Sequence, residues 1–276
     1  MVQFEKPVYR DLGDLYIAVD YGDTAEISLS FRVNALNLFI KKRKLKGILE
    51  TISTVHSLAI VHDPFIISKH ELVEELKKIE VEENLKEMTE LPSRLIRIPV
   101  WFDDPWSDEC AKAHGLENNL RMIAKLNGMS VEEIIRIYNG NQYWIAGTAF
   151  LLGTFNGFPL RSSKITLNVP KYPVPRTWTY EREFGVAGDM ISIYSIRSPG
   201  GYQLIGRTPI NIYEPEQRNH IFKQDPIIVK ATDRIECYPI SEAEYYRIRR
   251  EVEEGTYHYE IKEEVYSLIN YKVESY

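Results

Sequence analysis

The sequence is short of most features that would assign it a class at once. Cysteine is scarce: Cys110 and Cys237 are the only two in 276 residues, and they form no Cys-x-x-Cys pair. That excludes a disulfide framework and a thiolate metal site, and favours a reducing compartment. No apolar run approaches the roughly 20 residues needed to cross a bilayer. Residues 1–7 contain no apolar stretch of the kind a secretion signal needs. The expectation is a cytoplasmic protein that engages no membrane. The phosphate-cradling P-loop and Gly-x-Gly-x-x-Gly are absent, as are His-Glu-x-x-His, Gly-x-Ser-x-Gly and a Met-Lys-Met biotin attachment site. The chain is therefore expected to bind no cofactor directly, neither ATP nor covalent biotin. Six histidines are present, none paired at ligand spacing, so no metal is expected. A net charge of −6 argues against nucleic acid as the main partner.

The composition itself is that of a folded globular chain, with 44% hydrophobic and 27% charged residues. Tyrosine is abundant at 18, which suits strands and partner-facing surfaces alike. Residues 15–19 read as a strand, 26–44 as a helix by apolar spacing, and 48–54 and 57–62 as two β-branched strands. Ser68-Lys69-His70-Glu71 is a capping box that opens a helix to about residue 79. This order predicts a small α+β layer over residues 1–90, with the charged stretch 80–93 as a linker. Beyond it, residues 95–101 read as a strand, and helices are expected over 116–127 and 131–137. Further strands are expected over 143–150, 190–196, 202–208, 227–232 and 234–240. A helix over 241–254 and a strand near 256–261 close the chain. Many short strands with Gly and Pro turns predict a barrel or sandwich over residues 91–276.

Three stretches offer chemistry. Asp103-Asp104 follows a strand end, where catalytic carboxylates occur, although a solvated turn accounts for the pair as well. Ser198-Pro199-Gly200-Gly201-Tyr202-Gln203-Leu204-Ile205-Gly206-Arg207-Thr208 begins with a turn in which glycine permits positive φ and close backbone approach to a ligand. In a regular strand Gln203 and Arg207 share one face, where an amide and a guanidinium would bind a carboxylate, carbamate or amide. Tyr194 adds a hydroxyl if its strand pairs with theirs. A plain hairpin with an interface arginine remains an alternative. Lys171-Tyr172-Pro173-Val174-Pro175-Arg176-Thr177-Trp178-Thr179 reads as a stiff loop in which Arg176 and Trp178 can bring a guanidinium against a ring. A loop merely packed on the barrel is the competing reading.

These segments are similar to the allophanate hydrolase subunit 1 family, also called KipI, which includes the B-type subunit of 5-oxoprolinase. They look closer still to the matching half of the carboxyltransferase domain of urea carboxylase. The resemblance rests on Leu12-Gly13-Asp14, on Ser57 to Pro64, on Ile98-Pro99-Val100, on Asn127-Gly128-Met129-Ser130 and above all on Ser198 to Thr208. Pro175 to Thr179 and Gly255-Thr256-Tyr257 resemble the urea carboxylase version in particular. The resemblance implies a small α+β N-terminal domain followed by a cyclophilin-like β-barrel. It also implies a homologous subunit 2, KipA-like, as partner, with ATP used by a partner subunit and biotin, where it is used, on a separate carrier. Under it, Arg207, Tyr194 and Gln203 would be catalytic, with Tyr194 donating a hydrogen bond, or acting as an acid if its pKa is lowered. Arg176, Trp178, Ser198, Gly200, Gly201 and Thr208 would bind substrate, with Arg176 and Trp178 at the entrance. The implied activity is half of a carboxyltransferase-type site in an ATP-dependent carboxylase acting on urea, an amide or a related small molecule. Ring opening of a cyclic amide and inhibition of a kinase are the alternatives the family offers. The sequence departs from the family at Ala149-Phe150-Leu151-Leu152-Gly153-Thr154, and at Tyr138, where many relatives have histidine.

Overall fold

A computed structural model describes residues 2–148, 150–160, 167–269 and 271. The chain begins with an antiparallel sheet in the order β1-β2-β4-β3, formed by β1 (Gln3–Asp11), β2 (Tyr16–Gly22), β3 (Ile48–Ser53) and β4 (Ser57–His62). Ile17 lies opposite Ile60 and Val19 opposite Leu58, so the apolar alternation of β2 and β4 makes one dry face. Helix α1 (Ile27–Arg43) packs on that face. It is buried on nearly every side, from Ile27 to Ile40, because the barrel lies against its other flank. Three basic residues, Lys41, Lys42 and Arg43, complement the dipole at its C-terminus. Helix α2 (Lys69–Glu82) starts at the Ser68–Glu71 capping box and buries Leu72, Leu76 and Ile79. β1 was not legible in the sequence. Its burial is partial and irregular, and a register shift interrupts its pairing.

The expected linker over 80–93 is ordered instead. α2 runs on to Glu82, a short 3₁₀ turn buries Leu85, and β5 (Glu90–Phe102) is already a strand at the buried Leu91. Charge in this stretch marks one solvated side of a packed segment. Helices α3 (Pro105–Ala113), α4 (Asn119–Asn127) and α5 (Val131–Asn139) follow. The remaining elements are β6 (Gln142–Thr148), β7 (Phe155–Pro159), β8 (Arg176–Thr179), β9 (Glu183–Ala187), β10 (Met190–Ile193), β11 (Ser198–Gly200), β12 (Gln203–Arg207), β13 (Arg234–Pro239), α6 (Glu242–Glu253) and β14 (Ile261–Ser267). Residues 227–232 give only an isolated bridge between Ile227 and Tyr213, and the last strand starts where residues 256–261 were expected to end it. Ala149, inside the expected strand 143–150, lies outside the described residues.

The large sheet runs β12-β9-β10-β7-β6-β13-β5-β14, and β12 also pairs with β5. That pairing closes a seven-stranded barrel, with β14 as an outer strand on β5. Its interior is filled by alternating residues such as Phe184, Val186, Ile191 and Ile193. By the same alternation Glu183, Gly185, Ser192 and Tyr194 face the outer wall. The second core cluster joins the small sheet and α1 to Trp144, Ala146, Phe158 and Leu160 of the barrel. There Phe31 stacks on Trp144 at 4.6 Å, and the Trp144 indole donates to Ser30 Oγ at 2.9 Å. Among the described residues, no helix is long and apolar enough to cross a membrane.

Candidate active site on the outer wall of the barrel

A cavity of about 480 Å³ lies on the outer wall, bounded by Tyr172 and Pro175, by Tyr194, and by Pro199 to Tyr202. Tyr194 lies just beyond β10, with its ring laid across the backbone of β9 and β11. A Cβ on Gly185 would come within 3.0 Å of that ring, and one on Gly200 would overlap the Tyr194 hydroxyl. Neither Gly200 nor Gly201 has positive φ. The expected tight turn is therefore a short strand, and Gly200 is required for close approach by Tyr194 rather than for its own dihedrals. The Tyr202 hydroxyl donates to Asn156 at 3.0 Å, and Lys171 sits 4.7 Å over the Tyr202 ring. Phe150, at positive φ and 73% exposed, stands at the rim. Tyr138 plays no part here. It is fully buried, and its hydroxyl donates to the Gly188 carbonyl at 3.1 Å.

Directly behind Tyr194 lies Arg176, 2% exposed. Its Nη2 reaches the Tyr194 hydroxyl at 3.4 Å and its Nε donates to Thr179 Oγ1 at 3.2 Å. Its Nη1 has no partner, and no carboxylate of the described residues lies within ion-pairing distance. Burial raises the Tyr194 pKa against the opposing pull of Arg176. Tyr194 therefore keeps its proton at neutral pH, so the lowered pKa that an acid would need is absent, and of its two expected roles the hydrogen-bonding one is left. The expected contact between Arg176 and Trp178 does not form. β8 carries an extra residue between the pairs Ser198–Thr179 and Gly200–Arg176, which turns the two side chains apart. Arg197 instead stacks on Trp178 at 4.7 Å. Trp178 and Arg176 are not among the residues lining the cavity.

A similar bulge corrects the reading of β12. Gln203 pairs with Val186 and Arg207 with Glu183, with a shift between Leu204 and Gly206. The extra residue reverses the alternation, so Gln203 points inward and Arg207 outward. Gln203 donates to the Pro170 carbonyl at 2.7 Å. Arg207 donates to the Glu181 carboxylate at 2.9 Å and lies 4.5 Å over the Trp106 ring. Ser198 and Thr208 are buried, with Thr208 Oγ1 accepting from the Ile210 amide at 3.3 Å.

Sequence reasoning missed a cluster of acids beneath Arg207. Asp104 is no solvated turn residue: it is 1% exposed and caps α3, accepting from the Trp106 and Ser107 amides at 2.9 and 3.0 Å. The signal was present as Asp104-Pro105, an N-cap before a proline at the first helical position. Ser107 Oγ lies 2.6 Å from Asp104 Oδ2 and 2.6 Å from Glu183 Oε2. A hydroxyl has one proton to give, so one of the two carboxyls must supply its own. Asp104 accepts three hydrogen bonds, whereas Glu183 is wholly buried and its Oε1 has no hydrogen-bond partner, only the Arg207 Nε at 3.9 Å. Glu183 is therefore the protonated member. Burial drives its pKa well above the usual carboxylate range, and the neighbouring Asp104 charge adds to the rise.

Residues 7–222 match the family described as the carboxyltransferase domain, subdomain C and D. The chain belongs to that family. It is 30% identical to urea amidolyase of Lachancea kluyveri over 96% of its own length, but spans only 15% of that protein. It is 28% identical to the B-type subunit of 5-oxoprolinase of Bacillus subtilis over 88% of this chain and 96% of that one. In fold it is similar to the urea carboxylase of Kluyveromyces lactis, with a TM-score of 0.83 at 24% identity over 99% of this chain and 26% of that one. The carboxyltransferase-domain chain thus has the α+β-plus-barrel architecture that its sequence motifs implied. Among its described residues no group of three His, Cys, Asp or Glu side chains could hold a metal ion.

Proposed function

We propose that this chain supplies half of a carboxyltransferase-type active site in an ATP-dependent carboxylase acting on urea, an amide or a related small molecule, and that it is inactive alone. The observation that carries this reading is Arg176, a buried guanidinium with no carboxylate partner among the described residues, held one hydrogen bond behind a cavity lined by tyrosines. A buried unpaired charge is costly, and an anionic ligand is what would offset it. Tyr194 would donate a hydrogen bond to a carbonyl oxygen while keeping its proton, and Arg176 would stabilise the negative charge that develops there. Lys171 and the Gly200–Gly201 backbone would orient a planar amide or ureido group against the Tyr172 and Tyr202 rings. A carboxylated biotin, brought on a separate carrier, fits this flat apolar lining and would supply the carboxyl group for transfer. ATP would be used by a partner subunit.

The partner under this reading is a homologous subunit 2. A second reading, a component of a cyclic-amide hydrolase, is favoured by one fact: the likeness to the 5-oxoprolinase component extends over 96% of that protein, against 15% of the urea amidolyase. Co-purification from the native source, followed by turnover assays of the recovered complex on urea and on cyclic amides with ATP, tests both. A complex with a subunit 2 and a biotin carrier supports the first. A complex without biotin that opens a cyclic amide supports the second. A free chain with no partner overturns both and moves the kinase-inhibitor alternative forward.

A further inference from the structure

A second groove, of about 460 Å³, shares no lining residue with the cavity at Tyr194. It lies where α1 meets the barrel. Asn34, Asn37 and Lys41, on successive turns of α1, form one side, and Gly147, Thr148 and residues 229–232 form the other. Asn34 is 3% exposed. Its amide nitrogen donates to the Ser30 carbonyl at 2.9 Å and the Ala146 carbonyl at 3.2 Å. Carbonyls only accept, so the side-chain amide cannot be flipped, and its buried Oδ1 is left with no donor, in a residue that lines the groove. Neighbouring Asn37 shows what satisfaction looks like: it donates to Ser53 Oγ at 3.1 Å and accepts from Thr51 Oγ1 at 2.7 Å. Opposite Asn34, Thr232 holds φ of 75°, a strained setting for a β-branched residue. At the open side, Lys230 has Asp225 at 3.4 Å, while Lys41 has no carboxylate of the described residues in range.

We propose that this groove binds a small carboxylic acid that also carries an N–H or O–H group. The donor satisfies Asn34 Oδ1 and the carboxylate pairs with Lys41. A buried acceptor without a donor and a cation without an anion, in one cleft, call for a ligand with both complements. The site is separate from the reaction proposed above and stands or falls without it.

The test is amide-detected NMR of the ¹⁵N-labelled full chain, titrated with N-acetylglycine, which has both groups. Two controls each lack one: N-acetylsarcosine has no N–H, and the methyl ester of N-acetylglycine has no charge. N-acetylglycine is expected to shift the Gly147, Thr148 and Thr232 amides saturably, and each control to bind about tenfold more weakly or worse. Absence of saturable shifts at those amides, as when a water alone serves Asn34, overturns the proposal. So does equal binding of N-acetylsarcosine. Asn34 ties α1 to the barrel and its variants risk misfolding, so the variant to use is the exposed Lys41→Met. It should weaken N-acetylglycine to the level of the ester, and unchanged affinity would overturn the role of Lys41 and with it the proposed ligand class.

Discussion

Arg176 and Arg207 are both sealed beneath the outer wall of the barrel, at 2% and 4% exposure. Arg207 lies between the Trp106 and Tyr180 rings and is neutralised by Glu181, with Glu183 Oε1 at 3.9 Å. Arg176 has hydroxyl and ring contacts, Thr179, Tyr194 and Tyr172, and no ion pair among the described residues. The comparison separates two uses of a buried cation. A paired one holds elements together, here α3 against β9 and β12. An unpaired one, next to a cavity, would be offset by a ligand's charge under the proposed function. The Pro-Gly-Gly segment that dominates the family resemblance leads in sequence to Arg207, but in space its Gly200 supports Tyr194 and Arg176.

The largest expected effect divides the two arginines. Arg176→Met should lower turnover of the assembled complex about a hundredfold or more, as loss of a transition-state charge partner does. It should leave thermal stability unchanged or raised, because an uncompensated buried charge is removed. Arg207→Met should do the reverse, destabilising by about 2 kcal/mol by leaving acids unpaired while turnover per folded molecule changes little. Turnover and melting measured on the same two variants check both. The opposite pattern would return the catalytic role to Arg207 and break the comparison.

The acids beneath Arg207 sharpen it further. Glu183→Ala should cost about 3 kcal/mol by unlinking Ser107 and opening a void, whereas Glu183→Gln, which can still donate to Ser107, should stay within about 1 kcal/mol. The pH dependence has a definite sign. The folded-state pKa of Glu183 lies above its ordinary 4.5, so the folded state binds the proton more tightly. Its stabilisation is complete below that ordinary value and is lost as pH rises towards the folded pKa. Denaturant titrations from pH 4 upward should show that decline in the wild-type chain and a flatter profile for Glu183→Gln. Matching profiles would place the shared proton elsewhere.

Apart from α3, which was not expected, the helices were legible for a local reason. Ser68–Glu71 and Ser130–Glu133 form the capping boxes their spacing announced, and Ser241–Glu244 forms a third. The long strands β5, β6 and β13 were legible from β-branched runs. β8, β9 and β11 were not, because they have four, five and three residues and are set among Pro, Gly and charged side chains. The site suffered most from what period-two reasoning cannot see. A one-residue bulge in β8 and another in β12 moved Trp178 away from Arg176 and Gln203 away from Arg207. Period-two reasoning put each pair on one face, and the bulges put its members on two.

A smaller effect is expected at Gly200. In Gly200→Ala the new methyl would displace the Tyr194 hydroxyl, moving it off Arg176 and narrowing the cavity. Turnover should fall about tenfold, with a loss of stability of about 1–2 kcal/mol from overpacking. Tyr194→Phe tests the same link without steric change, and if Gly200→Ala acts through the tyrosine, adding it to Tyr194→Phe should bring little further loss of turnover.

The smallest effect is the one that most directly tests the reversed face of β12. Gln203 sits on the same strand as Arg207 but points into the barrel, with Nε2 on the Pro170 carbonyl and Oε1 unpartnered. If it oriented substrate, Gln203→Met would raise KM or lower kcat strongly. If it only ties the 167–175 segment to the wall, the substitution removes one hydrogen bond and one orphaned acceptor, which nearly offset each other. A stability change of about 1 kcal/mol or less is then expected, with KM unmoved. The readouts separate cleanly, because Pro170 precedes Lys171 and Tyr172 of the cavity wall. A loosened segment would shift both kinetic constants slightly and together, whereas loss of a substrate contact would fall on one of them alone.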